Sequence, residues 1–368
     1  MLHIDSWEMG AQNWTPKLRA EFKKRRGYDP LPFYPAFVGC VVGNRQMSER
    51  FLWDLRLTGQ ELVLENHAER LKKLGRKYDF GLSIEPYDMN PINDFDLGAV
   101  ADVPMCEFWS VGFNSTYSCL EASSIAHVFG RPVVAAEAFT GAPGENWKFY
   151  PGYLKNQGDW AFGAGINRFT YHTFAHKPDE GRPGMVMGPY GVHWDRGQTW
   201  WPMAEPYHRY IARCQQVLRQ GRTIADILYL MPEGAPNVFQ PPASALAGSP
   251  TLPDRRGYNF DGCSASALIK LASVRQGRIV FPSGATYRIL VLPNFPTMTP
   301  ELLDKLAVLV KAGATVVGLP PRKSPSLVNF PACDREVATK AEALWGSLTP
   351  PPEARTRVHG KGQIIWDD

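Results

Sequence analysis

The sequence predicts an α/β protein in which part of a (β/α)8 TIM-type barrel, with about five βα units, precedes a flavodoxin-like doubly wound α/β domain. Strand-like and helix-like segments alternate over residues 1–222, which is typical of parallel βαβ units. Residues 223–347 form a second, shorter alternation. Carboxylates also stand at the ends of several apolar runs in the first part, as they do at the C-terminal face of a barrel.

The first part contains five strand candidates. They are Leu2–Asp5, Phe80–Ile84, Val103–Cys106, Pro132–Ala136 and Ile166–Tyr171. A closed barrel of this type takes eight strands and roughly 250 residues. Because the first strand already carries acids, we expect about three preceding βα units to be missing, so that the chain is a fragment of a longer enzyme. An open five-stranded sheet is the alternative.

Helical patterns fill the intervals between these strands. Thr15, followed by a proline, is typical of a helix start and predicts a helix that ends at Arg26. Leucines at helical spacing predict a long amphipathic helix over Ser48–Lys77. Two shorter helices are expected over Tyr117–Phe129 and Met203–Arg219.

The second part begins at an apolar strand and ends in an extended linker. Its predicted elements are strands at 224–232, 287–294 and 314–320 and helices at 265–276 and 301–313, the last one capped by Thr299. The Pro-, Gly- and Ala-rich segment 232–257 is expected to be a loop. Residues 348–368 are expected to be a linker and the start of a further strand or domain, with a strand at 362–366. The predicted regions are therefore 1–222, 223–347 and 348–368.

The composition excludes several classes of partner. The 40 basic and 36 acidic residues give a net charge of +4, which is too small to predict binding to nucleic acid or to an acidic membrane. No apolar run of the sequence is long enough to span a bilayer. The six cysteines lack CxxC and metal-ligand spacing, so neither a disulfide framework nor a zinc site is expected. No GxSxG motif indicates a serine nucleophile.

Acidic residues at the ends of strand-like runs are the strongest functional signal. The candidates are Asp5, Glu8, Glu85, Glu107 and Glu137. Because the C-terminal ends of parallel strands converge on one face of a barrel, we expect these acids in a single pocket. Several carboxylates beside the aromatic residues Trp7 and Trp109 suit acid/base cleavage of a glycosidic bond.

Three of these acids have ordinary structural interpretations beside the catalytic one. Glu8 beside Trp7 is expected to be partly buried, which would raise its pKa toward that of a general acid, or it belongs to a helix cap. Glu137 in its apolar setting is a catalytic group or half of a buried ion pair with Arg168. Glu107 is a catalytic acid, a hydrogen-bonded core acid or a metal ligand.

The remaining candidates are equally open. Glu85 and Asp88 flank a proline, so they either shape a turn or take part in catalysis. His172 and His176 lie in a β-like segment, where their spacing is too long for one metal ion. His172 is therefore a substrate-contacting residue or a core histidine. The Trp-rich loop 188–202 shapes the pocket or packs against the second part.

Longer strings of the sequence resemble one known family. LHIDSWEMGAQNWTP, ADVPMCEFW, PVVAAEAFT, INRFTYHTFAHKP, RPGMVMGPYGVHWDRGQTWWP and ARCQQVLRQGRTIADILYL resemble family 106 glycoside hydrolases, the α-L-rhamnosidases. The resemblance extends over nearly all of residues 1–320. It implies a large enzyme with a modified (β/α)8 barrel, a flavodoxin-like domain and β-sandwich domains, of which this chain lacks the N-terminal barrel strands and the sandwiches.

The resemblance also implies an activity. Members of this family remove terminal α-L-rhamnosyl residues with inversion of configuration and depend on calcium, and the expected substrates are plant-type glycans or glycosides. Carried over by motif, Glu8 is the general acid, Glu137 the general base and Glu107 a third active-site acid, whereas the calcium ligands are not assigned. The residues expected to contact the rhamnose-containing substrate are Asp5, Trp7, Glu85, Trp109 and His172.

Two other functions stay open on the sequence. A β-galactosidase-like retaining hydrolase also pairs a barrel with a flavodoxin-like domain. A truncated chain that binds carbohydrate without hydrolysing it is the non-enzymatic alternative. The carboxyl groups of a retaining pair stand about 5 Å apart and those of an inverting pair roughly 6.5–9.5 Å apart. The longer enzyme is expected to act in the periplasm or outside the cell.

Overall fold

The computed structural model describes residues 1–8, 14–87, 91–145, 147–178, 181, 184–188, 190–351 and 355–367. Two parallel sheets with flanking helices organise these residues. The predicted α/β class is therefore confirmed. None of the described helices is both long and apolar enough to cross a membrane.

The first sheet has five parallel strands in the order in which they occur in the chain. They are β1 (Leu2–Ile4), β2 (Leu82–Ile84), β3 (Val103–Val111), β4 (Ala135–Gly141) and β5 (Arg168–Tyr171). All five were predicted. However, β3 and β4 extend further toward their C-terminal ends than the sequence indicated, so Glu107 and Glu137 lie within strands and do not follow them.

Seven α-helices accompany this sheet in the described residues. They are α1 (Leu18–Arg26), α2 (Arg45–Val63), α3 (Glu69–Arg76), α4 (Asp94–Val100), α5 (Thr116–Phe129), α6 (Pro151–Ala164) and α7 (Glu205–Leu218). The helix predicted over Ser48–Lys77 consists of α2 and α3, joined by a wider π-helical turn over Leu64–Ala68. The predicted start at Thr15 was wrong, because α1 begins at Leu18 without a side-chain cap.

The second half of the chain contains further strands and helices. The strands are β6 (Ile227–Leu230), β7 (Leu246–Ser249), β8 (Leu252–Arg255), β9 (Phe260–Cys263), β10 (Ser273–Arg275), β11 (Arg278–Val280), β12 (Thr286–Tyr287), β13 (Ile289–Val291), β14 (Thr315–Val317), β15 (Thr356–His359) and β16 (Gly362–Ile365). The helices are α8 (Ala265–Leu271), α9 (Pro300–Ala312) and α10 (Ala332–Trp345). The Thr299 cap of α9 is confirmed, because its side chain accepts a hydrogen bond from Leu302 N.

The main sheet of this half has the strand order β9-β6-β13-β14-β16-β15. Its first five strands are parallel, and only β15 is antiparallel to its neighbour. The strand predicted at 362–366 is β16, which pairs with β14 and so lies inside this sheet. The segment 232–257 is not a simple loop, because β7 and β8 form an antiparallel hairpin within it.

One buried hydrophobic cluster joins the two halves. Phe95 and Ile125, from α4 and α5, belong to the same buried cluster as Leu228 and Phe260 of the second sheet. Burial of side chains of this size contributes roughly 1.5–3 kcal/mol each. Because α5 also packs on β3, this cluster connects the first sheet to the second. The C-terminal ends of β1–β5 then form a fixed frame for polar groups.

Candidate active site

The acids predicted from the sequence converge at the C-terminal edge of the first sheet. Glu107 and Glu137 are direct partners in the parallel pairing of β3 with β4, and residues at one register position project from the same face. Asp5 follows β1 and Glu85 follows β2, where Glu85 N donates to Ile4 O at 3.0 Å. Four carboxylates from four adjacent strands are thereby brought together.

The charges of these acids act on one another. Burial raises the pKa of Glu85 well above its ordinary value, and the charges of Glu137, Asp5 and Glu107 raise it further. Burial and then Glu107 raise the pKa of Glu137 to about 8. Like charges in a partly desolvated site oppose ionisation, and such shifts are typical of functional sites.

Glu107 is buried and held by a tyrosine. Tyr87 Oη donates a hydrogen bond to Glu107 Oε2 at 2.5 Å. Burial and the charge of Glu107 raise the pKa of Tyr87, so the phenol stays protonated and remains a donor. Tyr87 was not among the predicted site residues, although it stands two positions after Glu85 in the sequence.

Glu137 contacts His172 and not Arg168. His172 Nε2 lies 3.7 Å from Glu137 Oε1, and Thr140 Oγ1 donates to the same oxygen at 3.3 Å. The predicted ion pair with Arg168 is wrong for the described residues, since Arg168 aligns with Ala135, two positions earlier on β4. His172 therefore belongs with the acids, and its Nδ1 is buried without a hydrogen-bond partner among the described residues.

Glu8 acts on His172 through its charge. Burial lowers the pKa of His172, while the charges of Glu107, Asp5 and Glu8 raise it. Glu8 is exposed and accepts a hydrogen bond from Ser6 Oγ at 2.8 Å, so the expectation of partial burial was wrong. The helix-cap interpretation was also wrong, because α1 has no side-chain cap.

The two aromatic candidates contact other rings. Trp7 makes an edge-to-face contact with His67, with ring centroids 5.8 Å apart. Trp109 contacts Phe113 and Tyr190 at 6.0 and 6.3 Å, and its Nε1 is buried without an acceptor in the described part of the chain. An indole N–H left without a partner inside the protein is available to a ligand.

Residues 190–202 pack against the C-terminal end of β5. Trp194 is fully buried and stacks on Tyr171 with centroids 4.2 Å apart. Val192 N donates to the carbonyl of His172, which fixes the backbone of that histidine. His176 is exposed and does not join His172 in a metal-binding group of the described residues. Asp88, the other candidate beside Glu85, lies outside the described residues.

Three residues at the ends of β1 and β2 could hold a metal ion. Donor atoms of His3, Asp5 and Glu85 all lie within 4.8 Å of one another. Glu85 is only 1% exposed, and yet neither of its carboxylate oxygens accepts a hydrogen bond from the described residues. Hard cations such as calcium prefer oxygen ligands, so Asp5 and Glu85 are the donors that suit one. His3, which sequence reasoning missed, has its Nε2 3.5 Å from Asp5 Oδ1 and lowers the pKa of Asp5.

Comparison with known proteins identifies a family. A family 106 glycoside hydrolase model, described as alpha-L-rhamnosidase, matches residues 1–368. The rhamnosidase from Novosphingobium sp. PP1Y is 33% identical with a TM-score of 0.86, over 100% of this chain and 35% of that one. A curated protein of Formosa agariphila named "Putative beta-glucuronidase" is 39% identical over 343 residues, which are 93% of this chain and 28% of that protein.

More distant structures share the fold alone. A β-galactosidase from Rahnella sp. R3 is 12% identical with a TM-score of 0.54, over 98% of this chain and 64% of that one. The exo-carrageenase from Bacteroides ovatus is 12% identical with a TM-score of 0.56, over 98% of this chain and 51% of that one. This chain spans 28% of the curated relative and 35% of the Novosphingobium enzyme. On the match over its whole length, the chain belongs to glycoside hydrolase family 106, the α-L-rhamnosidases.

Proposed function

We propose that this chain carries the acid/base residues of an enzyme that hydrolyses terminal α-L-rhamnosyl linkages of plant-type glycans or glycosides with inversion. The observation that carries the proposal is the alignment of Glu107 with Glu137 across β3 and β4, with His172 Nε2 3.7 Å from Glu137 Oε1. Several carboxylates at one edge of the sheet are the kind of groups that glycosidic cleavage requires. We propose that neither nucleic acid nor a membrane is a partner of this chain.

The proposed reaction is a single displacement. Glu8 gives its proton to the leaving oxygen as the bond to the anomeric carbon breaks. Glu137 takes a proton from the water that attacks that carbon from the opposite face of the ring. Glu107, fixed by Tyr87, and His172 hold Glu137 in position, while Asp5, Trp7, Glu85 and Trp109 are the remaining contacts that we propose for the sugar.

The ionisation of Glu137 is a requirement of this assignment. A base must be ionised, yet burial and Glu107 raise the pKa of Glu137 to about 8. When bound, calcium would supply positive charge that favours the ionised form of nearby carboxyl groups. Asp5 and Glu85 are the residues that would hold it, because their oxygens lie close together and those of Glu85 accept no hydrogen bond from the described residues.

We also infer the architecture that surrounds the site. Residues 1–222 would be the C-terminal part of a (β/α)8 catalytic barrel, and residues 223–347 a flavodoxin-like domain. The parallel strands β6, β9, β13, β14 and β16 have the spatial order 2-1-3-4-5, which is the order of flavodoxin. Residues 348–368 would then supply the linker and the last two strands of that domain.

The leaving group of the substrate separates the two roles. Hydrolysis of a dinitrophenyl and of a methyl α-L-rhamnoside is measured for the wild type, Glu8→Gln and Glu137→Gln. Loss of the acid should slow methyl rhamnoside cleavage by about 10²–10⁴-fold but spare the dinitrophenyl substrate, whose leaving group needs no proton. Loss of the base should slow both substrates alike.

The raised pKa of Glu137 also suits a general acid, so a reversed pattern would exchange the two roles and keep the reaction. NMR of the first sugar released identifies the anomer, and retained configuration would contradict the single displacement. A wild-type chain that hydrolyses neither rhamnoside, with and without calcium, would contradict the proposed function of this chain.

A further inference from the structure

A cavity lies at the edge of the sheets opposite to the acids. It has a volume of about 680 Å³ and is lined by residues that precede β4 and β5 and by residues of the second half. Four arginines line it, Arg131, Arg219, Arg222 and Arg255, and we call it the arginine cleft. None of its lining residues is an aspartate or glutamate.

The arginines of this cleft keep spare hydrogen-bond donors. A guanidinium has five N–H donors and cannot lose its charge in a protein. Arg219 is the most engaged, since its Nε and Nη2 both donate to the Asn167 carbonyl, at 3.1 and 2.9 Å. Arg131 and Arg255 each donate one hydrogen bond of 3.5 Å to a backbone carbonyl, and the Nε of each is buried without a hydrogen-bond partner among the described residues. The Arg255 guanidinium also lies over the Phe260 ring, 5.1 Å from its centroid.

Arg222 is the most accessible of the four. It is exposed and forms no ion pair with a described carboxylate. Its guanidinium lies over Gly284, where an added Cβ would be 2.9 Å from Nη1, so Arg222 extends along the wall of the cleft. His127 is not a further free cation, because its ring nitrogens contact Asp261 at 2.8 Å and Thr223 at 2.8 Å.

Helix ends explain part of this arrangement. Arg255 contacts a carbonyl in the last turn of α6, and Arg131 contacts one in the last turn of α4, where a positive charge is favourable. Such capping uses one donor of each arginine. It does not explain why four arginines line one cavity that has no aspartate or glutamate in its lining. The positive electrostatic potential of the arginines is concentrated in such a cavity.

We infer that the arginine cleft binds an oxyanion, carried by an acidic saccharide or present as a free inorganic anion. Guanidinium groups bind carboxylate, sulfate and phosphate through paired N–H donors. The volume is within the range of small-ligand sites. Asn259 and Ser283 also line the cleft and offer hydrogen bonds to sugar hydroxyls. The cleft is separate from the acids, so this inference does not depend on the proposed function.

Calorimetric titration of the 368-residue chain tests the inference. The probes are sodium sulfate, sodium glucuronate and, as the uncharged comparison, glucose. Sulfate and glucuronate should bind saturably and glucose should not. Arg222→Gln should weaken binding by about tenfold, and Arg131→Gln with Arg222→Gln should weaken it further, since one hydrogen bond to a charged group commonly accounts for such a factor.

The matched control is Arg322→Gln. Arg322 is exposed, as Arg222 is, but it lies outside the cleft. Like Arg131 and Arg255, it donates one hydrogen bond to a backbone carbonyl, that of Leu348 at 3.3 Å. Its substitution should leave the affinity unchanged. Tighter binding of glucuronate than of sulfate would identify an acidic saccharide as the ligand. Equal affinities for glucuronate and sulfate would identify a free anion as the ligand. Absence of saturable binding, or equal affinity in the wild type and in the thermally stable Arg222→Gln variant, would overturn the inference.

Discussion

Tyr87 donates a hydrogen bond of 2.5 Å to Glu107, the residue that aligns with Glu137 across the neighbouring strand. The phenol thereby fixes one carboxylate oxygen of Glu107 in a buried setting. Because Glu107 raises the pKa of Glu137, the position of Glu107 sets the electrostatic environment of Glu137. Tyr87 is therefore a positioning residue for the proposed base.

Tyr87→Phe should reduce turnover on an α-L-rhamnoside by about tenfold and change KM little. The substitution keeps the ring and removes one hydrogen bond to a charged group, which is worth roughly 1.5–3 kcal/mol. Turnover, KM and the pH dependence of turnover are measured together. A loss of stability of that size is expected, together with a shift of the pH profile, because the charge of Glu107 acts on Glu137.

Tyr207→Phe provides the matched control for this experiment. The hydroxyl of Tyr207 is buried without a hydrogen-bond partner in the described residues, so its removal should leave activity and stability nearly unchanged. Equal kinetics and equal pH profiles for both variants and the wild type would remove Tyr87 from the positioning role.

The sequence predicted the strands and acids of this site better than the contacts between them. Alternation of apolar runs indicated β1–β5, and the acids after these runs converge because parallel strands align their C-terminal ends. The pairing of Tyr87 with Glu107 joins residues 20 positions apart, and it depends on the turn after β2, which no local pattern specifies.

The missed strand β9 has a similar cause. Phe260–Cys263 reads FDGC, which is short and contains Asp and Gly, residues that are depleted in strands. Its stability comes from burial on β6 and α5, since all four residues are buried. Burial of this kind depends on tertiary packing, and a single sequence does not reveal it. His3 was missed because its role depends on Glu85 from the next strand.

Glu85→Gln should abolish stabilisation of the chain by calcium. In the wild type, calcium should raise the thermal unfolding midpoint, because an ion that binds only the folded state stabilises it by mass action. The variant removes the negative charge and one oxygen of Glu85, which with Asp5 is a proposed calcium ligand. Thermal unfolding with calcium, magnesium and chelator measures the effect.

Glu121→Gln is the control for the calcium experiment. Glu121 is also 1% exposed, also has a carboxylate oxygen without a hydrogen-bond partner among the described residues, and lies on α5 away from the acids. It should respond to calcium as the wild type does. A calcium shift that survives in Glu85→Gln would contradict the assignment of Glu85 as a ligand.

Arg50→Met should destabilise the contact between the two halves of the chain. Arg50 is 4% exposed and binds both oxygens of Asp334, at 2.8 and 2.7 Å, and the Ser326 carbonyl at 3.0 Å. Removing one partner of a buried pair commonly costs about 3–5 kcal/mol, and the partial exposure of Asp334 favours the lower end. Urea unfolding measures the decrease in the free energy of unfolding.

Arg19→Met tests whether burial is the cause. Arg19 forms a paired contact to Asp29 with distances of 3.0 and 2.6 Å, but half of its side chain is exposed. An exposed pair is worth about 0–1 kcal/mol, so this variant should unfold nearly as the wild type does. Equal losses in both variants would show that burial does not determine the contribution of Arg50.

Glu233 should make the free energy of unfolding fall as the pH rises. Burial raises its pKa from the ordinary value of 4.5 to about 7, although Thr299 donates to the carboxylate from both N and Oγ1 and opposes the rise. The unfolded chain loses the proton first. Its contribution to stability is therefore complete below pH 4.5, declines up to about pH 7 and is constant above that. The loss is on the order of 3 kcal/mol.

Glu233→Gln isolates this contribution from those of other buried acids. The amide matches the protonated acid in shape and can accept from Thr299 N, so the variant should equal the wild type near pH 4.5 and exceed its stability at pH 8. Urea unfolding of both proteins across this range gives the difference at each pH. A difference that does not change with pH would mean that Glu233 ionises in the folded chain as readily as in the unfolded one.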